Sequence, residues 1–326
     1  MTLIKVAKQL FVSFTAFEDF HHCPRLYYWK RIRRLEKVRF SLPFFLGRII
    51  GPGINAIYKA PTKALTIFEQ SHKKEATALR KALPLSAEDE EAIRMQIYIG
   101  KGMLEAYKKR YHVMIRDTKI ISHEAPFHYR GIQGVTIVGL LDNIMHNRKS
   151  NYVHELKTTS QLTPSYVRGI KTRVQPAMYK YLVNRVKDMV ADIGGKIKGA
   201  IFDVIQKPGI RQKKKETKQE FLRRVIDWYK DGSENKFHLE RSHDLVLKEE
   251  QVMHTLISTT DLMKRWGKEK DAYYQNFMWC CPAKGFPCDM YELCHGEGGE
   301  KNPANMILYK VRPSHHVEDK YKEAED

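Results

Sequence analysis

Gly134-Val-Thr-Ile-Val-Gly-Leu-Leu-Asp142 and Tyr152-Val-His-Glu-Leu-Lys157 are two short apolar runs, and how they are read decides the fold. Both are short, β-branched or aromatic runs separated by turn residues, which predicts adjacent strands. Glu155 and Lys157 are two apart, so on a strand both side chains leave one face. Asp142 ends the preceding run, and a hairpin brings it beside them. Two carboxylates and one ammonium suit a hard divalent cation and an attacking water. In this reading Asp142 and Glu155 hold the metal and the Leu156 carbonyl adds a third oxygen. Lys157 orients or deprotonates the water and offsets developing charge. The competing reading is a cross-strand salt bridge at a sheet end.

On the N-terminal side, residues 13–36 read as a helical start. Ser13 or Thr15 caps it, Phe14, Phe17, Phe20 and Tyr27 form its apolar stripe, and Pro24 divides it. A second helix follows Leu46. Residues 61–84 read as a small helical insertion with loops, and residues 87–111 as a helix. The period then changes to strands near 119–129, 135–145 and 152–157. Residues 164–190 are a helix candidate and 198–206 a fourth strand. Residues 207–215 form a basic loop, 217–230 and 247–277 read as helices, and 280–294 is a Cys-rich knot. The order predicts an α/β core with a mixed sheet. The expected division is a helical region over 1–112, a core over 113–245, a helical and Cys-rich segment over 246–312, and a charged, disordered tail over 313–326.

Lys and Arg number 57 against 38 Asp and Glu, a net charge of +19 over 326 residues. Such an excess favours a polyanionic partner, and nucleic acid above others. No apolar run reaches bilayer length, which argues against a membrane protein. The first residues lack the apolar stretch of a secretory signal, so cytoplasmic residence is expected. In that compartment five cysteines suggest metal or cluster ligation before disulfides.

Gln175-Pro-Ala-Met-Tyr179 places two polar side chains four apart, on one helix face. Four segments then occur in order: Ser13-x-Thr15…Cys23-Pro-Arg25-x-Tyr27-Tyr28, Gly139-Leu-Leu-Asp142, Glu155-Leu-Lys157-Thr-Thr and Gln175-x-x-x-Tyr179. Together they resemble the RecB-like branch of the PD-(D/E)XK nuclease superfamily, which includes CRISPR-associated and phage recombination exonucleases. The resemblance implies a restriction-endonuclease-like core, a central mixed sheet flanked by helices, with helical N-terminal and Cys-rich C-terminal parts. It implies a Mg²⁺- or Mn²⁺-dependent DNA nuclease acting through Asp142, Glu155 and Lys157. Gln175 and Tyr179 would lie near the site and the DNA backbone. Single-stranded DNA or duplex ends would be the substrate, in a bacterial or phage-infected cell, with a recombination or helicase protein as a further partner. One departure stands out. Many relatives carry a metal-binding His four residues after a Gly in the first core helix, and here Gly47 is followed by Gly51. His21, His22 and Glu124 are the substitutes in view. The departure keeps open a catalytically silent DNA-binding subunit.

The resemblance also implies a [4Fe-4S] cluster held by Cys23, Cys281, Cys288 and Cys294, with Cys280 as alternate to Cys281. The six residues between Cys281 and Cys288 depart from the usual two. Zinc on the same thiols, or free thiols, are the alternatives. Arg25, Arg168, Lys171, Arg173, Lys213 and Lys214 are the candidate DNA contacts. No base-reading motif accompanies them, so backbone binding is expected. Tyr27, Tyr28 and Trp29 would stack on bases or pack in the core.

Overall fold

The computed structural model describes residues 9–38, 41–147, 150–171 (Lys171 as backbone only), 174–232, 235–243, 245, 247–276 and 288–312. Arg173, Cys280, Cys281 and the tail from 313 onward lie outside the described residues. The chain starts with β1 (Leu10–Ser13), α1 (Phe14–His22), α2 (Pro24–Tyr27), a π turn and β2 (Leu35–Lys37). Then come α3 (Leu42–Lys59), α4 (Ala64–Ala82), α5 (Ala87–Arg110) and α6 (His112–Asp117). Three long strands follow, β3 (Thr118–Ile132), β4 (Val135–Asn147) and β5 (Ser150–Thr159). Next are α7 (Pro164–Lys171), α8 (Val174–Val183), α9 (Lys187–Asp192), β6 (Ile197–Gln206), α10 (Lys218–Lys230) and β7 (Phe237–Ser242). The last elements are α11 (Glu249–Trp266), α12 (Tyr291–His295), α13 (Pro303–Met306) and β8 (Tyr309–Val311). No described helix is long and apolar enough to cross a membrane.

Two compact units result. One comprises Phe40–Ala125 and Leu141–Lys248; the other comprises Met1–Arg39, Pro126–Leu140 and Glu249–Asp326. In the first, the end of β4 pairs antiparallel with β5, β5 pairs parallel with β6, and β6 pairs antiparallel with β7. This is a mixed sheet with helices on both faces. Leu156 and Ile205 face a core built from α3, α4, α5 and α10, with Ile49, Ile54, Phe68, Met103 and Val225 inside it. Phe202 and Val204, one residue out of phase, face Ile170 and Tyr166 of α7. Alternation along the strands thus assigns each residue to a layer.

Capping explains where the helices begin. Ser86 and Asp89 form a reciprocal capping box at α5, and Thr217 and Glu220 form another at α10. Acidic residues fill the first turn of α5 and Lys108, Lys109 and Arg110 its last, matching the helix dipole. Residues 61–84, expected to be a small helical insertion with loops, contain one 19-residue helix, α4. Its period is hard to see because only Ala64, Phe68 and Ala76 are buried. The single helix expected over 164–190 is three. Pro176 falls in the first turn of α8, where a missing N–H costs no hydrogen bond.

In the other unit, β1 pairs in parallel with the start of β4, from Leu10↔Val135 to Ser13↔Val138. Ser13 then caps α1, its hydroxyl accepting from the Ala16 amide at 3.2 Å, as a helix N-cap serine does. Phe20, Tyr27, Tyr28, Trp266 and Tyr273 form an aromatic cluster. Helix α11 stops at Gly267, whose φ is 54°. That left-handed conformation suits a glycine just past a helix end. β2 and β8 form a separate antiparallel pair.

Candidate active site

The β4–β5 register runs back to Asn143↔His154, so one further step sets Asp142 opposite Glu155. Lys157, two residues on, shares the Glu155 face. Its Nζ lies 2.9 Å from Glu155 Oε2 and 4.0 Å from Asp142 Oδ2. The three side chains picked out in the sequence therefore meet at one end of the sheet. Their exposures differ: 3% for the Glu155 side chain, 30% for Lys157 and 50% for Asp142. The group thus grades from a buried acid through a half-buried amine to an acid open to solvent.

Two observations test whether these residues suit a divalent ion. Glu155 Oε1 is buried with no hydrogen-bond partner, and an unpaired buried carboxylate oxygen is costly. A cation coordinated there would satisfy it. The Asp142 carboxyl is pushed up to about 6, first by removal from water and then by the Glu155 charge, while Lys157 opposes the rise. Half of its side chain still meets solvent, which moderates the effect. Both features fit a cation between the two acids. Among the described residues no three His, Cys, Asp or Glu side chains gather as a metal site. The protein offers two carboxylates, the number that suits Mg²⁺ when water completes its shell.

The raised Asp142 carboxyl has a pH consequence. The folded, metal-free protein keeps a proton that the unfolded chain releases in the ordinary carboxylate range. Its contribution to stability therefore falls as pH rises through that range toward the folded-state value. A cation bound between the two acids would expel the same proton. Affinity for Mg²⁺ or Mn²⁺ is thus expected to rise between about pH 5 and 7, with proton release visible by calorimetry in two buffers. A pH-independent affinity would exclude Asp142 as ligand.

Gln175 Nε2 donates to the Tyr179 hydroxyl at 3.0 Å, so the pair expected to share a helix face does so. α8, which carries them, packs on β5 and β6. The Leu156 side chain points into the helical core, on the face opposite Glu155 and Lys157. A Cβ added at Gly51 would meet nothing within 4 Å. The place where relatives carry a His is open space. Glu124 is 68% exposed and has a φ of 47°. Its neighbour His123 reaches the Asp142 carbonyl oxygen, with Nδ1 3.0 Å away. Sequence reading passed over His123, and also Asn143 and His154, which lie behind the two acids. Strand alternation was the available signal, since each of the latter two adjoins a site acid. Arg168, Lys213 and Lys214 are exposed. Lys207 is partly buried, and that burial lowers its pKa.

In the other unit, Cys23, Cys288 and Cys294 border one cavity with Leu26, Met290, Tyr291 and His295. The Trp29 indole N–H donates to Cys294 Sγ at 3.2 Å, and the Asn276 amide N–H donates to Cys23 Sγ at 3.4 Å. Such donors suit thiolate ligands. Burial pushes the Cys294 thiol up to about 11. The cavity measures about 10 Å³, a space for a single water. The thiols fit a metal or cluster by identity, and the fourth candidate ligand, Cys281, lies outside the described residues. His21 hydrogen-bonds Thr259 at 2.8 Å. Arg25 Nε donates to the Tyr273 carbonyl at 2.6 Å, so part of its donor capacity holds the fold.

No curated protein matches the chain. The profile of the PD-(D/E)XK nuclease superfamily matches residues 12–257, more than half of the chain and inclusive of Asp142, Glu155, Lys157, Gln175 and Tyr179. Its span takes in the mixed sheet and the end of it where the two acids and the amine meet. The chain therefore belongs to the PD-(D/E)XK nuclease superfamily.

Proposed function

We propose that this protein is a Mg²⁺- or Mn²⁺-dependent deoxyribonuclease, an exonuclease acting in DNA recombination, repair or phage DNA processing. The observation that carries this reading is the meeting of Asp142, Glu155 and Lys157 around an unpaired buried carboxylate oxygen. Asp142, Glu155 and the Leu156 carbonyl would hold the metal, which would supply Lewis-acid chemistry and charge neutralisation at the scissile phosphate. Lys157 donates an N–H to the attacking water and faces the charge that builds on phosphorus. Gln175 and Tyr179 position the DNA strand beside it. Water adds its oxygen to phosphorus and loses a proton to solvent, the bridging P–O bond breaks, and the departing oxygen takes up a proton from solvent. Arg25, Arg168, Lys171, Arg173, Lys213 and Lys214 contact phosphates without reading bases.

The test is digestion of end-labelled linear DNA and closed circular DNA with each metal. Loss of the linear substrate with the circle intact is the expected result. Equal attack on both makes the protein an endonuclease. No cleavage with either ion overturns the enzyme reading in favour of a DNA-binding subunit, the alternative that Gly51 in place of a metal-binding His keeps open.

A second proposal concerns the thiols. Cys23, Cys288 and Cys294, with Cys281 as fourth ligand and Cys280 as its alternate, hold an iron–sulfur cluster of the [4Fe-4S] type, with zinc as the alternative. Its support is that three thiols face one cavity and two of them receive N–H donors. Anaerobically purified protein is expected to contain iron and acid-labile sulfide in equal amounts. Zinc without sulfide selects the alternative; neither element leaves free thiols.

A further inference from the structure

Two residues unused by the proposed chemistry stand directly behind it. Asn143 follows Asp142 and His154 precedes Glu155, so both side chains leave the sheet on the face opposite the carboxylates. They are register partners, and Asn143 Nδ2 donates to His154 Nδ1 at 3.1 Å. Exposure is 1% for Asn143 and 0% for His154. A cross-strand bond thus ties the two metal-binding strands together at the step where the acids project.

Each member is held in turn. Asn143 Nδ2 also donates to Asn55 Oδ1 of α3 at 2.8 Å. His123 Nδ1 lies 3.0 Å from both Asn143 Oδ1 and the Asp142 carbonyl oxygen, and 3.1 Å from Asn55 Nδ2. With Nδ1 of His154 accepting, its Nε2 carries the proton and points at Asp203 Oδ2, 3.4 Å away. Tyr107 of α5 donates to the same oxygen at 2.5 Å, and its own hydroxyl lies 2.7 Å from that of Tyr58. Polar groups buried this deeply cost stability unless each finds a partner, and apolar residues would fill the space more cheaply. What the network adds is a fixed geometry, enforced from β3, α3, β6 and α5 together.

We propose that the Asn143–His154 clamp fixes the separation of Asp142 and Glu155 and so makes the site selective for Mg²⁺ over Ca²⁺. This rests on the metal-site reading above. Mg²⁺ demands near-ideal octahedral geometry at short distances, whereas Ca²⁺ accepts irregular shells and longer bonds. A rigid pair of carboxylates suits the first ion, and a loosened pair penalises it selectively. Asn143, His154, His123 and Asn55 act as positioning residues, since none is placed to touch the ion.

The experiment is calorimetric titration of Mg²⁺ and of Ca²⁺ into the full chain without DNA, for wild type, Asn143→Ala, His154→Leu and His123→Ala. Circular dichroism establishes that each variant is folded. Mg²⁺ affinity is expected to fall by about tenfold or more, the usual effect of removing a residue that orients a metal ligand, while Ca²⁺ affinity changes by less than about threefold. His123 is one-third exposed, so His123→Ala keeps the test decisive if the two buried variants unfold. An unchanged Mg²⁺ to Ca²⁺ ratio in the folded variants overturns the clamp. Wild-type protein that binds neither ion overturns the metal-site reading instead.

Discussion

Lys157→Ala is expected to slow DNA cleavage by about 10²- to 10⁴-fold, the range for losing one charge-stabilising or proton-handling group. DNA affinity, measured without metal, should change by less than about threefold, because one amine adds little to a phosphate-binding surface of many cations. The ammonium touches Glu155 and faces Asp142, so its loss leaves two acids without their shared counter-charge. Metal occupancy should therefore be kept or strengthened, and added Mg²⁺ should not recover the rate. Asp142→Ala is expected to lose as much activity by another route. Metal affinity falls, and raising the ion concentration recovers part of the rate. Single-turnover rates across a metal titration separate the two defects. Either variant cutting at the wild-type rate would falsify the assignment of these residues.

Phe68→Ala is expected to destabilise the unit that carries the acids by about 3–5 kcal/mol, the cost of deleting a fully buried phenyl ring. Phe68 is 0% exposed and is the main anchor of α4, whose other buried residues are two alanines. Its ring lies so close to Gly100 of α5 that a Cβ there would sit 2.1 Å from Cζ, and its Cβ lies 3.1 Å from the equivalent point at Gly53 of α3. The ring thus fills the junction of three helices, and alanine leaves a hole that neighbouring glycines have no side chains to occupy. Urea melts followed by circular dichroism check the loss. The control is Leu65→Ala on the same helix, at a residue that is 49% exposed. This surface change should shift stability by no more than about 0.5 kcal/mol.

The site was legible because strand period two is a strong signal. It put Glu155 and Lys157 on one face, and a hairpin was enough to add Asp142. Gln175 and Tyr179 were legible for the matching helical reason. The network behind them was not, because Asn143 meets His154 only through strand register, and Asp203 and Tyr107 arrive from distant segments. The short strands β1, β2 and β8 escaped notice at three or four residues each. β7 escaped for a different reason. Buried Phe237 and Ile205 pair at its start, while most of its other residues stay partly or fully open, which leaves little apolar pattern to read. A helical insertion was legible over 61–84, but the full length of α4 was not, because only Ala64, Phe68 and Ala76 of it are buried.

The unit containing Cys23 is woven from three separated stretches of chain, and the last begins at Glu249. During synthesis the ribosome releases Phe20, Tyr27 and Tyr28 long before Trp266 and Tyr273 emerge to pack on them. At about 5–20 residues per second that delay lasts on the order of tens of seconds. The unit carrying the acids is fully translated by Lys248 and can fold on the nascent chain meanwhile. The aromatic N-terminal segment thus stays without these packing partners until the third stretch of its unit has been made.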